Sequence, residues 1–596
     1  MDEREPCAVC RDLTPLPGPS GGFINTGVGV DLETSALSCQ YCSILWEGLS
    51  TLAEKDARGA QWIALKQVED AFRLQYRYGT DDKIYRGLHF YTEDARSPYS
   101  NTFKPSRDLE PDTSSEKYLE EIKHWVDDCG MNHDHCIRRL STELPTRILD
   151  ISLHDDFIFL REKKEGDSGS YTALSHVWGG KVPMQTTMES LSLRKDGIRL
   201  ADLPLTFCDA VYMTRQLGCR FIWIDSLCII QDDADDWKRE ATRMADIYGN
   251  AFVTLAAVKS VDSDGGLFSK HDDTKAKLVI LRDSYDGNTS RILVRPSLEH
   301  TAYYASHSYG LPTGTEARLL DRAWCYQEYI LSPRILMFTD WEILWGCLAT
   351  VACNCGSFSH DTRTVILESN LKTRFNRQLR SSSLKDLHRL TFEADKLPAL
   401  AGVAHRFMGK GLKRYLNGLW EETLISDLFW ETSRSFAEFY KIDFYRSGDP
   451  SIPTWSWASV DGPIEMNMMT VVEGLSLVDI EFYPRSDSLA DIGVKSLFLE
   501  GRLIPSRLWM RAGSSALLRS LEAEGFEEEV VWPIDVPGEV ACVVDRPMTG
   551  FILCGEKGPG LVLRLDELTG SYRRMGCIKS LPKDRKGYET RTIELR

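Results

Sequence analysis

The spacing of apolar positions changes within one stretch, RFIWIDSLCIIQDDADDWKREATRMADIYGNAFVTLAA, which runs from Arg220 to Ala257. Phe221 to Ile230 is a short apolar run rich in Ile, Phe and Trp and closed by an aspartate-rich turn, which predicts a buried strand with Asp225 inside it. From Asp235 onward Trp237, Ala241, Met244, Ile247, Tyr248 and Ala251 recur at i, i+3/i+4 spacing. This predicts an amphipathic helix whose leading aspartates cap it and complement its dipole. Glu240 falls inside that apolar arc. A carboxylate there needs either a structural partner or a reaction that uses it.

The same reading extends along the chain. YTALSHVWGG, from Tyr171, predicts a strand stopped at Gly179-Gly180, and a helix follows from about Thr206 to Leu217, ending at Gly218. Strand, helix, strand, helix and the apolar strand Ala251 to Ala257 is the order that yields a parallel sheet with right-handed crossovers. In such sheets the ligand crevice lies beyond the carboxyl ends of the strands, where Ser175 to Gly180 and Asp225 to Gln231 emerge together. Residues 262–320 read as an insertion with two strand-like runs, LVILRDS and ILVRPS. RAWCYQEYILSPRILMF predicts a helix from Arg322 to Leu331, its Arg and Glu facing water, and a strand from Arg334 to Phe338. From about Ser357 to Phe439 the pattern is mainly helical, including FEADKLPALAGVAHRF and YLNGLWEETLISDLFW. SIPTWSWASV reads as a strand packed on a neighbouring domain. The final short apolar runs, among them LSLVDIEFY, SLFLEGRLI, EVACVVD, GFILCG and GLVLRL, predict a small antiparallel β-domain. Near the N-terminus, Trp62 to Val68 and Phe72 to Tyr78 are strand-like, and the polar loop from Thr92 to Lys117 reads as flexible.

Composition narrows the functional classes. With 596 residues, 27% charged and 42% apolar, the chain has ordinary globular values for several domains. No apolar stretch approaches the ~18 residues of a membrane span. The acidic start MDEREPC has no apolar region behind it, so no signal peptide is expected and the expected location is cytoplasmic. A net charge of −17 with no basic run argues against nucleic acid as a partner. Sixteen cysteines in such a setting point to reduced thiols or metal rather than disulfides. Cys7-x2-Cys10 and Cys39-x2-Cys42 can each offer two thiolates to a tetrahedral zinc. Their separation of 28 residues exceeds the usual ribbon interval, which leaves ordinary reduced thiols as the alternative. Cys129-x3-His133-x2-Cys136 supplies only three ligands and reads as buried thiols.

YTALSHVWGG, the stretch from LPLTFCDAV to DIYGNA, and RAWCYQEYILSPRILMF resemble the three blocks of the fungal heterokaryon incompatibility (HET) domain, over roughly residues 145–340. WGCLATVACNCGS departs from the pattern, since many members carry an acidic residue soon after the first cysteine. The resemblance implies a part in non-self recognition and programmed cell death. Through a distant relation to TIR domains it also implies a flavodoxin-like parallel sheet and, as in some TIR members, NAD cleavage by a single glutamate. Carried over by position, the motif residues are Ser175 and Trp178; Asp225, Cys228 and Gln231; and Arg322, Trp324, Gln327 and Glu328. The expected architecture is an N-terminal Cys-rich region (1–144), an α/β central domain with a flavodoxin/TIR-like parallel sheet (145–356), a helical region (357–445) and a C-terminal antiparallel β domain (446–596).

Three functions compete. In the first, Glu240 and Asp225 are the catalytic carboxylates of an NAD glycohydrolase, with Trp178 or Trp237 as the aromatic face. NAD would then be a substrate rather than a bound cofactor, because no Gly-rich phosphate loop follows either strand. In the second, the blocks form a non-enzymatic signalling or scaffold surface for a protein partner or for self-assembly. The third is a cysteine hydrolase using Cys228, His176 and Asp225, which a thiol in mid-strand disfavours.

Overall fold

The computed structural model describes residues 5–13, 23–53, 57–68, 71–77, 86–97, 99–133, 136, 142–179, 184–271, 279–285, 288–297, 319, 323–356, 359–361, 396–408, 414–432, 445–449, 452–461, 464–465, 472–483, 494–511, 518–523, 548–578, 581 and 588–596. Arg322, the EVACVVD run, the long loop of residues 298–318 and most of 357–395 lie outside the described residues.

The N-terminal unit contains β1 (Phe23–Gly27), α1 (Gly29–Ala36), α2 (Gln40–Leu52), β2 (Trp62–Val68), β3 (Ala71–Arg77), β4 (Arg86–Tyr91) and α3 (Glu116–Asn132). The two predicted strands are the antiparallel pair β2 and β3. The loop after β4 is not loose, because it buries Thr92, Phe103 and Ser106, and Ser106 Oγ donates to the Cys355 carbonyl at 2.8 Å.

The central domain follows with β5 (Thr142–Glu143), β6 (Arg147–Asp150), β7 (Phe157–Glu162), β8 (Ser168–Gly169), β9 (Tyr171–Ser175), α4 (Leu191–Asp196), β10 (Ile198–Arg199), α5 (Leu205–Gln216), β11 (Phe221–Trp223), α6 (Asp225–Cys228), α7 (Ala234–Asn250) and β12 (Val253–Ala256). Further on come β13 (Val279–Tyr285), β14 (Asn288–Pro296), α8 (Ala323–Leu331), β15 (Arg334–Phe338), β16 (Ile343–Cys347), β17 (Thr350–Cys353), β18 (Ser359–Asp361) and α9 (Lys396–Phe407). Ten strands form one sheet in the order β10-β7-β6-β11-β9-β12-β15-β16-β17-β18. The four central strands β11, β9, β12 and β15 are mutually parallel, with Phe221 opposite Tyr171 and Ala256 opposite Ser175. Both flanks pair antiparallel, so the expectation of a parallel sheet holds for this core and is corrected for the sheet as a whole, which is mixed.

Four other expectations are corrected. The apolar run from Phe221 does not stay extended to Ile230: β11 stops at Trp223 and the chain turns into α6, so Asp225 and Cys228 lie on a short helix. A fully buried apolar run looks alike as strand or helix, which is why periodicity missed the turn. The buried face of α7 is Asp236, Glu240, Met244, Ile247 and Tyr248, whereas Trp237 is 36% exposed. Within the expected insertion 262–320, β14 pairs with β4 and completes a six-stranded sheet, β1-β2-β3-β4-β14-β13. Finally, YLNGLWEETLISDLFW is not one helix. Tyr415–Leu416 and Leu419–Trp420 form a hairpin around Asn417 (φ 44) and Gly418 (φ 98), the left-handed pair that a two-residue turn requires, before a short helix at Leu424–Asp427. SIPTWSWASV is likewise mostly turn, with a 3-10 helix at Trp457–Ser459 and a strand only at Val460–Asp461. Trp455 and Trp457 are buried in the core that joins α9 to the C-terminal domain.

The C-terminal β expectation is met in a closed form. Strand Val494–Arg511 pairs with both Met548–Cys554 and Thr590–Leu595, and Gly560–Leu565 and Tyr572–Ile578 complete the ring. Closure of this kind removes free strand edges. Among the described residues no helix is long and apolar enough to cross a membrane.

Candidate functional site

The motif residues converge where β9 and β12 end. Ser175 closes β9 and faces α8, where its hydroxyl donates to the Glu328 carboxylate. The helix is held there from below: Ser332 Oγ donates to the Glu328 carbonyl at 2.5 Å and lies 2.6 Å from Thr254 Oγ1 on β12. Glu328 and Gln327 are buried, contrary to the expectation that the acid of this helix faces water. A Cβ on Gly402 would come within 2.2 Å of Gln327 Nε2 and 2.9 Å of Ala245 Cβ, so glycine lets α9 lie close to both at this point.

Past Ser175 the chain leaves the sheet through His176, Val177 and Trp178. Trp178 Nε1 donates to Asp225 Oδ2 at 3.0 Å, and His176 Nδ1 lies 3.7 Å from Asp225 Oδ1, which also accepts the Ser226 N–H at 2.7 Å. The His176 ring stands edge-on to Phe207 at 5.0 Å. Gly179, at φ 75, ends the segment as expected, because a Cβ would lie 2.1 Å from the Cβ of Asp262. The structure therefore brings Ser175, His176, Trp178, Asp225 and Glu328 to one end of the parallel core. Asp225 is the carboxylate of the set with appreciable access, its side chain 18% exposed. Gln231 braces the turn rather than pointing outward, donating to the carbonyls of Asp225 and Ile229 at 3.2 and 3.1 Å. Trp324, at the start of α8, is half-buried and packs edge-to-face on Trp237 at 6.2 Å.

Glu240 is buried as expected, 1% exposed, and its Oε2 has no hydrogen-bond partner among the described residues. It lies within the electrostatic field of the Arg147 guanidinium and near the Cys228 thiol. Arg147, from β6, donates to the Cys228 carbonyl at 2.7 Å and pairs with Asp236, whose Oδ2 also accepts the Ile230 N–H at 2.9 Å. Sequence reasoning missed this pair, having assigned Asp236 to helix capping. Asp233 does that work, accepting from the N–H groups of Asp235 and Asp236. Burial pushes the Cys228 thiol up to about 12, which removes the thiolate that a hydrolase nucleophile needs.

Metal chemistry has a separate place. Cys7, Cys10, Cys39 and Cys42 gather their sulfurs within 4.8 Å of one another, with Cys10 to Cys39 at 3.4 Å and Cys7 to Cys42 at 3.7 Å. The two Cys-x2-Cys pairs thus form one four-thiol cluster able to hold a metal. The hydrogen bond from Cys10 pulls the Cys42 thiol down to about 6. The set fits the tetrahedral all-sulfur donor arrangement of structural zinc sites.

Neither a curated protein nor a solved structure matches the chain. Residues 171–328, which reach from the first residue of β9 to Glu328 and so span the whole convergence at the strand ends, match the family model described as heterokaryon incompatibility protein (HET), so this part of the chain is a HET domain.

Proposed function

We propose that this chain acts in fungal non-self recognition and programmed cell death, in the cytoplasm and with a protein partner or further copies of itself, and that its HET domain is a TIR-like effector that cleaves NAD. The observation that carries the reading is the cluster of Ser175, Trp178, Asp225 and Glu328 at the carboxyl ends of β9 and β12. Counting the parallel strands in chain order, their spatial order is second, first, third, fourth. That matches the start of flavodoxin-like sheets, whose ligands sit between the first and third strands. The reaction asks little of the protein. Nicotinamide leaves as a neutral base, taking the electrons of the glycosidic C–N bond, so no proton donor is needed. Water adds to the ribosyl carbon and releases a proton. A carboxylate facing the oxocarbenium-like centre lowers the barrier. Asp225, oriented by the Trp178 N–H, is assigned that role, Trp178 offers its face to the base, and Ser175–Glu328 positions the end of β9. Glu240 acts through Arg147 as a positioning residue.

The test follows nicotinamide release from NAD by the purified chain. Asp225→Asn is expected to lower turnover by about 10²–10³-fold with the thermal midpoint retained. Glu240→Gln is expected to lower stability and keep residual turnover. Loss of turnover in a Glu240→Gln chain of unchanged stability would instead return the catalytic role to Glu240. A second reading, a non-enzymatic signalling module, is favoured by the way Gln231 and Glu328 are already engaged within the fold. Absence of nicotinamide release from the unmodified chain decides for it.

A further inference from the structure

Cys129, His133 and Cys136 are one ligand short of a tetrahedral set. The fold supplies the fourth from a distant part of the chain. Cys347, the last residue of β16, joins them with all four ligand atoms within 4.8 Å of one another, and its sulfur is 3.5 Å from His133 Nδ1.

The surroundings match a built metal site in three independent ways. The other nitrogen of His133, Nε2, faces Asp128 Oδ2 at 3.7 Å, the carboxylate–histidine arrangement that fixes the tautomer of a metal-ligating imidazole. The Cys347 sulfur receives the backbone N–H groups of Ala349 and Thr350 at 3.4 and 3.2 Å, as a thiolate would. Arg334 is 3% exposed and donates from Nε to Cys129 Sγ at 3.3 Å and from Nη2 to the Cys136 carbonyl at 2.7 Å. Among the described residues no carboxylate pairs with this guanidinium. A buried cation beside three neutral thiols is costly. Three thiolates around a divalent ion leave a net charge of minus one, which is the counter-charge Arg334 lacks.

We propose that Cys129, His133, Cys136 and Cys347 bind a structural zinc ion that staples the end of α3 to β16 of the HET-domain sheet. Cys129 and Cys136 are buried, so the site is closed in the manner of structural rather than catalytic zinc. The staple is distinct from the four-cysteine cluster. That cluster lies within the N-terminal unit, whereas this site joins the α3 segment to the central domain.

Metal content of the purified full chain tests the proposal, with about two zinc ions per chain expected when both sites load. The double substitution Cys10→Ser/Cys42→Ser should remove one and leave the other, and adding Cys347→Ser should remove the remainder. In case Cys347→Ser impairs folding, His133→Cys preserves four ligands. In the Cys10→Ser/Cys42→Ser background it should keep one metal and, after exchange with cobalt, shift the absorption bands from those of a three-sulfur, one-nitrogen site to those of a four-sulfur site. Unchanged zinc in Cys347→Ser, no zinc left in the double variant, or a cobalt spectrum indifferent to His133→Cys would each overturn it.

Discussion

Removal of the four-cysteine cluster is expected to unfold the N-terminal core packed around it while α3 stays on the central core, the largest stability effect anticipated for this chain. Cys10, Cys39 and Cys42 are buried in the same core as Leu13, Leu32, Leu45 and Leu49, so the cluster is a structural part of that core. Among the described residues of the segment it retains is the 3-10 turn Arg11–Leu13, where all three residues have left-handed φ near 50, a conformation non-glycine residues adopt at a cost. Structural zinc contributes roughly 10–16 kcal/mol to small metal-dependent folds, comparable to the whole net stability of a domain, about 5–15 kcal/mol. The Cys10→Ser/Cys42→Ser chain should therefore lose one calorimetric transition and become open to protease near Arg11. The central and C-terminal cores are separate clusters and should keep theirs. An unaltered melting profile in that variant would show that packing, not metal, holds the segment.

The second large effect is expected at Asp236. Its carboxylate and the Arg147 guanidinium are 1% and 5% exposed, and removing one member of a buried pair leaves the other charge unpaired. Asp236→Ala should cost about 3–5 kcal/mol in chemical denaturation. The change should also loosen α6, because Arg147 anchors the Cys228 carbonyl and Asp236 the Ile230 N–H, at the far end of the turn that presents Asp225. Glu240 is the neighbouring carboxylate within the field of Arg147, so Asp236→Ala and Glu240→Ala should be non-additive. The pH dependence has a definite sign. Burial alone raises the Asp236 pKa, but the hydrogen bonds from Arg147 and Ile230 outweigh it and hold the group below its ordinary value. A depressed folded pKa gives stability that is fully present above the unfolded value, about 3.9, and is lost as pH falls through the folded one. The difference between wild type and Asp236→Ala should accordingly be constant near neutrality and shrink below about pH 4. A difference that persists undiminished in acid would mean the cost is packing rather than charge.

The sequence by itself determined whatever depends on neighbours a few residues apart. The helices α5 and α7, the strands β9, β12 and β15, the two Cys-x2-Cys turns taken singly and the burial of Glu240 are all local in this sense, because side-chain periodicity and capping are written within one element. The Asn417-Gly418 hairpin was legible too, as the strongest short-range turn signal, but the surrounding Leu and Trp spacing masked it. Tertiary structure alone decided the rest. The Arg147–Asp236 pair links positions 89 residues apart and accompanies the one change at the start of the buried face of α7, where Asp236 rather than Trp237 turns inward. Pairing of β14 with β4 moved an apparent insertion into another sheet, since backbone hydrogen bonding leaves no mark in the order of side chains. The contacts of Ser175 with Glu328 and of Cys347 with His133 span 153 and 214 residues. Each such contact forms because the burial of whole elements brings the two groups together, and no local pattern of apolar and polar residues encodes which distant element will arrive.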